Sequence, residues 1–361
     1  MIKKILYIVN IVFAVLLLLS YLTAFIPPHI YPKFSLIGFV YPILLFINIA
    51  FIVVWIFIKW TYAIIPLACI LIRFDYIPSL IRIDGDKHSQ IIQKDEIKIL
   101  SYNVCAFHYN TLYNQSKQGK IDSVINYIKE QNPDIIAFQD YASSKKPKSS
   151  IHYSLTKKLG YKYYYGAESD DNHISSNVIY SKFPIQKSGM ILPMRENSDS
   201  YIFIDIKVKG KSFRIYNFHL TSFKLADKEK EDFAKIKQGE IKPQASKNII
   251  KKLVWANDKR SKEVDEIIPI LRETSLPYFV VGDFNDTPFS YTYRNISKDM
   301  KDSYEEKGEG FGTTYNGIFP AYRIDYILFS KNDFSIKSFE TNELEYSDHF
   351  PVSAIFSIDK K

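Results

Sequence analysis

Tyr278-Phe-Val-Val-Gly-Asp-Phe-Asn-Asp286 reads as a covered strand that runs into a polar end. Val280 and Val281 suit a strand buried on both faces. Gly282 permits a turn or a close approach by another backbone. Asp283, Asn285 and Asp286 then gather at the carboxyl end of the strand, where sheet proteins often keep their chemistry. Gly-Asp followed by Asn or Asp is also ordinary turn sequence, so the weight of this stretch depends on what surrounds it.

Working outward, the same pattern returns. Ile97 to Val104 alternates apolar and polar like a half-buried strand and delivers Asn103 at its end. Ile121, Val124, Ile125 and Ile128 fall at helical spacing between Lys120 and Glu130, and Asn132-Pro133 stops that helix. Asp134 to Asp140 is a second buried strand closed by Gln139 and Asp140. Tyr161 to Tyr165 and Ser176 to Ile185 read as strands around a loop, the second carrying Asn177. Ile202 to Val208 and Phe213 to Leu220 read as a hairpin turning at Gly210-Lys211. Asn217 and His219 lie two apart near its end and so share a face. A long helix, about Ser246 to Arg272, leads into the opening strand. Beyond a glycine-bearing loop at Gly308 to Gly312, Arg323 to Phe329 carries Asp325, and Glu345 to Val352 carries Asp348 and His349.

Taken singly, each polar residue has an ordinary reading. Asn103 is a turn residue, Asp140 a helix cap, His219 a core histidine, Asp325 a partner for Arg323, and Asp348 a solvated acid. Together they supply oxygen ligands for a hard cation and an acid-base pair.

The ordered set Ser-Tyr-Asn103-Val, Phe-Gln139-Asp140, Asn217-Phe-His219-Leu, Gly-Asp283-Phe-Asn285-Asp286, Arg-Ile-Asp325-Tyr-Ile and Ser347-Asp348-His349 resembles the endonuclease/exonuclease/phosphatase superfamily over roughly residues 96 to 358. That superfamily includes deoxyribonuclease I-like nucleases, neutral sphingomyelinases and inositol polyphosphate phosphatases. The resemblance implies an α/β fold, a four-layered α/β/β/α sandwich with two mixed sheets face to face, and metal-dependent cleavage of phosphate esters. It implies that Asp140, Asn103 and Asp348 hold Mg²⁺ or Mn²⁺. It gives His349 the role of base, with Asp325 as its orienting acid. Asp283, Asn285 and His219 act on the phosphate and the leaving group, and Asn217 and Asn177 on substrate. The chain departs from the family where Gln-Glu is usual and Gln139-Asp140 stands; the shorter acid bears on metal affinity more than on mechanism.

The amino-terminal part is of another kind. Ile5 to Ile26 and Leu36 to Ile58 are each apolar over about 20 residues, long enough to span a bilayer, with Pro27 and Pro28 in the turn between them. Thr61 to Ile77 is a third candidate, shorter and interrupted by Arg73 and Asp75. Two spans leave the remainder on the side of the amino terminus; three put it opposite. Lys3, Lys4 and Lys59 favour a cytoplasmic position for the loops that hold them. The catalytic part is then extracytoplasmic if the third span crosses. A membrane-spanning part at 1–80, a linker at 81–95 and a catalytic domain at 96–361 follow. The formal charge of +8 divides evenly, +4 to residue 88 and +4 beyond, which suits anionic substrates. Cys69 and Cys105 form no disulfide framework.

The expectation is a membrane-anchored, metal-dependent phosphoesterase, nuclease-like, acting on nucleic acid. A phospholipid headgroup is the alternative substrate, and an inactive tethered binding module the alternative class. Serine hydrolysis by Ser347 is disfavoured, because no third group orients His349 toward it and no nucleophile elbow is present. Nothing in the sequence points to a protein partner.

Overall fold

The computed structural model describes residues 1–83, 95–107, 117–145, 150–170, 173–192, 201–223, 243–317, 322–344 and 346–358. Residues 84–94 of the expected linker and 224–242, before the long helix, lie outside the described residues. In chain order the main elements are α1 (Ile2–Leu22), α2 (Tyr41–Ile58), α3 (Ile64–Ile72), β1 (Glu96–Asn103), α4 (Lys117–Gln131), β2 (Ile135–Ser144), β3 (Tyr163–Asp170), β4 (His173–Ser181), β5 (Ile185–Met190), β6 (Ile202–Val208) and β7 (Lys211–His219). There follow α5 (Pro243–Arg272), β8 (Tyr278–Asp283), α6 (Tyr291–Ser297), β9 (Met300–Asp302), β10 (Asp325–Ser330), β11 (Ser335–Thr341) and β12 (Val352–Ser357).

The chain forms two compact units. The first comprises Met1–Ile81, Ser222–Asp265 and Asp286–Ile296; the second comprises Arg82–Thr221, Glu266–Asn285 and Ser297–Lys361.

In the first unit, α1 and α2 are each long and apolar enough to cross a membrane. Trp60–Ile72 with Phe74–Leu80 passes the same test only as a pair, bent by 63°. The bend falls at Arg73, whose backbone leaves the helical region and whose guanidinium turns to Asp75. Buried polar groups inside apolar helices need partners. Trp55 Nε1 donates to Asn10 Oδ1 at 2.9 Å, and Asn48 Nδ2 to the Phe13 carbonyl at 3.2 Å. An aromatic cluster closes the unit, with Tyr41 and Tyr76 packed on Phe289 at ring separations of 4.1 and 5.3 Å.

The second unit is built on two six-stranded sheets, ordered β11-β12-β1-β2-β4-β3 and β5-β6-β7-β8-β10-β9. Both are mixed: β1 pairs parallel with β2, and β7 with β8, while the other neighbours are antiparallel. Strand alternation sorts the side chains. Ile97, Ile99, Ile135, Ala137 and Ile179 from the first sheet join Phe213, Ile215, Phe279, Val281, Ile327 and Phe329 from the second in one core between them. Leu100, Tyr102, Ile136 and Phe138 face the other way and pack with Val124 and Ile128 of α4.

One expected detail changes. The β6–β7 hairpin turns at Lys209-Gly210, because Val208 pairs with Lys211. Both turn residues have positive φ, as the two-residue turn that matches strand twist requires.

Candidate active site

The alternation that fills the core also builds the site. Continued to the strand ends, the inter-sheet face of β1 carries Asn103, that of β2 Gln139, of β4 Asn177, of β7 Asn217 and His219, of β8 Asp283, and of β10 Asp325. Asp140 falls in a bulge between Phe138 and Tyr141, at φ 46°, so the simple alternation of β2 stops there and Tyr141 joins the helix-facing core. Gly282 answers to close approach. At φ 131°, a Cβ there would stand 2.0 Å from the Phe218 carbonyl oxygen, so only glycine lets β7 and β8 bring His219 beside Asp283.

Asp283 is fully buried and lies at the centre. Its Oδ1 accepts from the Asn285 backbone N–H at 2.7 Å. Its Oδ2 accepts from Asn103 Nδ2 at 2.9 Å and Asn285 Nδ2 at 3.2 Å. His219 Nε2 stands 3.6 Å from that same oxygen, and His349 Nε2 3.7 Å from it. Asn285, held at φ 51°, also donates to the Leu220 carbonyl at 2.9 Å, which fixes the turn after β8 against the end of β7.

His349 is oriented from three directions. Its Nδ1 faces Asp325 Oδ2 at 3.0 Å and Oδ1 at 3.2 Å. Its backbone N–H donates to Ser347 Oγ at 3.2 Å, while Ser347 Oγ donates to the Asn103 carbonyl at 2.8 Å. Tyr315 packs edge-on against the imidazole at 5.2 Å. Ser347 is thus a brace between β1 and the histidine, with its hydroxyl proton on a backbone carbonyl rather than available to a nucleophile. Thr314 Oγ1 accepts the backbone N–H groups of Ile324 and Asp325 and sets the start of β10. Tyr315 and Thr314 escaped the sequence reading. They lie in a stretch without strand periodicity, and no local signal marks them.

Arg323 does not neutralise Asp325. It is buried and paired with Asp302 and Glu305, which leaves the Asp325 carboxylate to His349. Burial opposes the imidazolium, but the negative charges of Asp325 and Asp283 outweigh it and push the His349 pKa up to about 10. Burial pushes the Asp325 carboxyl up to about 6; His349 pulls against that and Asp283 adds to it. Two carboxyl groups and two imidazoles thus share one buried cluster, where a cation would help to offset the acids.

Two groups of donors suit such a cation. Asp283, Asp325 and His349 place ligand atoms within 4.8 Å of one another and could hold a metal. The second is the expected oxygen set, Asn103, Asp140 and Asp348, of which Asn103 pairs with Gln139, the residue before Asp140, in the β1–β2 register, and Asp348 follows Ser347, which is bonded to the Asn103 carbonyl. Asn103 Oδ1 accepts one hydrogen bond, from Cys105 N–H at 3.0 Å, and keeps a second lone pair. All three donors are oxygen, the preference of Mg²⁺ or Mn²⁺.

Asn217 and Asn177 are differently engaged. Asn217 Nδ2 donates to the Phe138 carbonyl at 2.8 Å and the Val178 carbonyl at 3.3 Å, and its Oδ1 accepts from Gln139 at 2.7 Å. Asn177 Nδ2 donates to the Asn217 carbonyl at 3.3 Å. Asp286 lies in the other unit, buried beside Arg260 with 3.5 Å between Nε and Oδ2.

Among solved structures, an endonuclease/exonuclease/phosphatase family protein from Leptotrichia buccalis C-1013-b is similar at 18% identity and TM-score 0.49, covering 72% of this chain and 98% of its own. The catalytic domain of human Nocturnin with a bound sulfate anion is similar at 15% identity and TM-score 0.49, with 74% and 96% covered. An endonuclease/exonuclease/phosphatase from Bacteroides vulgatus gives 18% identity and TM-score 0.47, with 74% and 100% covered. Curated proteins gave no match. Residues 3–80 match a domain of unknown function (DUF8431). Residues 100–349, from β1 to the histidine that faces Asp325, match the Endonuclease/Exonuclease/phosphatase family, and the chain belongs to that family.

Proposed function

We propose that the chain is a membrane-anchored, divalent-metal-dependent phosphoesterase that cleaves phosphodiesters of the nucleic-acid type. The observation that carries the reading is the convergence of Asn103, Asn285, His219 and His349 on Asp283 Oδ2, with Asp325 behind His349. Hydrolysis of a phosphate ester requires a water aimed in line with the leaving oxygen and compensation of anionic charge.

In its neutral form, which a cation beside Asp325 and Asp283 would favour against their pull, His349 keeps one ring nitrogen toward Asp325, presents Nε2 to the attacking water and accepts its proton. The water oxygen bonds to phosphorus as the bond to the leaving oxygen breaks. His219 in its protonated form donates to that departing oxygen. Asp283 holds both imidazoles in place, and Asn103 and Asn285 hold Asp283. Asp140, Asn103 and Asp348 would hold the divalent ion, which when bound offsets the charge of the phosphoryl oxygens and of the acids around His349. The apolar helices α1 and α2 would serve as the membrane attachment.

The full chain, purified in detergent, tests this on bis-p-nitrophenyl phosphate, plasmid DNA, RNA and sphingomyelin micelles, each with Mg²⁺, Mn²⁺ or EDTA. Metal-dependent turnover of the nucleic acids that His349→Ala abolishes is the expected result. Turnover of sphingomyelin alone would replace the substrate with a lipid headgroup. Metal binding without turnover of any of them would overturn the enzymatic reading.

A further inference from the structure

The first unit contains a groove that the phosphoesterase chemistry does not use. Its volume is about 470 Å³, and Val15, Leu18, Leu22, Phe25 and Ile72 line it, with Arg73 at its rim. That volume is within the range of ligand sites. A groove of this composition would be unremarkable on apolar helices were it not for Arg73 in its lining and Arg294, which reaches it through the Phe25 ring. Arg73 is held by Asp75 through Nε at 2.9 Å and Nη2 at 2.7 Å, and its guanidinium carbon lies 5.6 Å from the centre of the Phe25 ring. Arg294 of α6 stacks on the same ring at 4.0 Å. Among the described residues no carboxylate stands within ion-pair distance of Arg294. Two guanidinium groups thus share one ring, and one acid serves only the first of them.

We infer that this groove binds one anionic phospholipid, with an acyl chain along α1 and the phosphate against Arg73 and Arg294. Guanidinium offers a planar fork to phosphate oxygens, and α1 is long and apolar enough to lie in a bilayer, where lipid is the surrounding solvent. The net charge of the rim discriminates among headgroups. The ammonium of a zwitterionic lipid would meet the unpaired guanidinium, whereas a glycerol headgroup brings no such repulsion. The inference rests on the membrane attachment proposed above and not on catalysis.

Native mass spectrometry of the full chain in detergent, with phosphatidylglycerol or phosphatidylcholine of the same chain length added, tests it. A single phosphatidylglycerol should be retained, and phosphatidylcholine should be lost at the same activation energy. Arg294→Gln should reduce phosphatidylglycerol retention about tenfold, as loss of a charged hydrogen bond implies, and Arg294→Lys by less. Leu18→Trp, which fills the groove and leaves both arginines, should abolish retention. Equal retention of the two lipids, indifference to all three variants, or a chain dimer formed in place of the lipid adduct would each overturn the proposal. An alkaline wash of membranes from expressing cells keeps the two readings apart: release of the chain would remove the membrane attachment itself, while a retained chain without lipid preference removes only the lipid site.

Discussion

Two polar clusters lie between the same two sheets, and they differ in what they leave over. In one, Gln139 and Asn217 bond to each other across the sheets and to backbone carbonyls of β2 and β4. It is neutral, and its hydrogens are used inside the fold; Gln139 Oε1 is its only side-chain atom without a partner among the described residues. In the other, Asp283 and Asp325 stand with His219 and His349 at 3.0 to 3.7 Å. Neutral amides in a satisfied network fix one packing arrangement. Two buried acids beside two histidines are costly to a fold unless a ligand or a reaction uses them. Position at a strand end is shared by both clusters; ionisable groups belong to one.

This division can be broken by experiment. His349→Ala should lower turnover per folded molecule by about 10²- to 10⁴-fold, the usual yield of a positioned base; a drop of only a few-fold would return His349 to the structural side. Removal of divalent metal by EDTA should stop turnover and lower the melting temperature, since a ligand at a hundred times its Kd stabilises by about 2.7 kcal/mol. Asn217→Ala should do the reverse of His349→Ala, costing about 1 to 3 kcal/mol in denaturant unfolding because buried partners are left unpaired, with turnover per folded molecule within a few-fold. Loss of turnover at unchanged stability would move Asn217 to substrate binding. The smallest effect is expected from Asp140→Glu, which restores the longer acid usual in the family and should lower the metal concentration for half-maximal activity by a few-fold.

The strands and their polar ends were legible because a period of two and a run of apolar residues are local signals. The sequence also marked Gly282 as a position of close approach, and the 2.0 Å separation from the Phe218 carbonyl oxygen supplies the reason. What it withheld depends on tertiary partners. Asp283 and Asp286 stand three apart in one polar stretch, yet Asp283 enters the site while Asp286 pairs with Arg260 in the other unit. The bulge at Asp140 has no glycine to announce it. β12, buried throughout, follows the His349 motif, and its alternation is hidden by burial on both faces. The bend at Arg73 was half legible: the charge was visible, the 63° change of direction was not.

The first unit is assembled from three stretches of chain, and their order has a consequence in time. Thr23 hydrogen-bonds to the carbonyl of Phe289, 266 residues later; Asn257 donates to Ser35 across 222. At synthesis rates of about 5 to 20 residues per second, the amino-terminal helices are complete on the order of tens of seconds before Phe289 leaves the ribosome. Tyr41 and Tyr76 wait for that ring until β8, with Asp283 at its end, has been made. The apolar helices therefore reach their final packing only in chains that already carry most of the catalytic sequence, and a nascent chain stopped short of β8 keeps that aromatic surface open to chaperones and proteases.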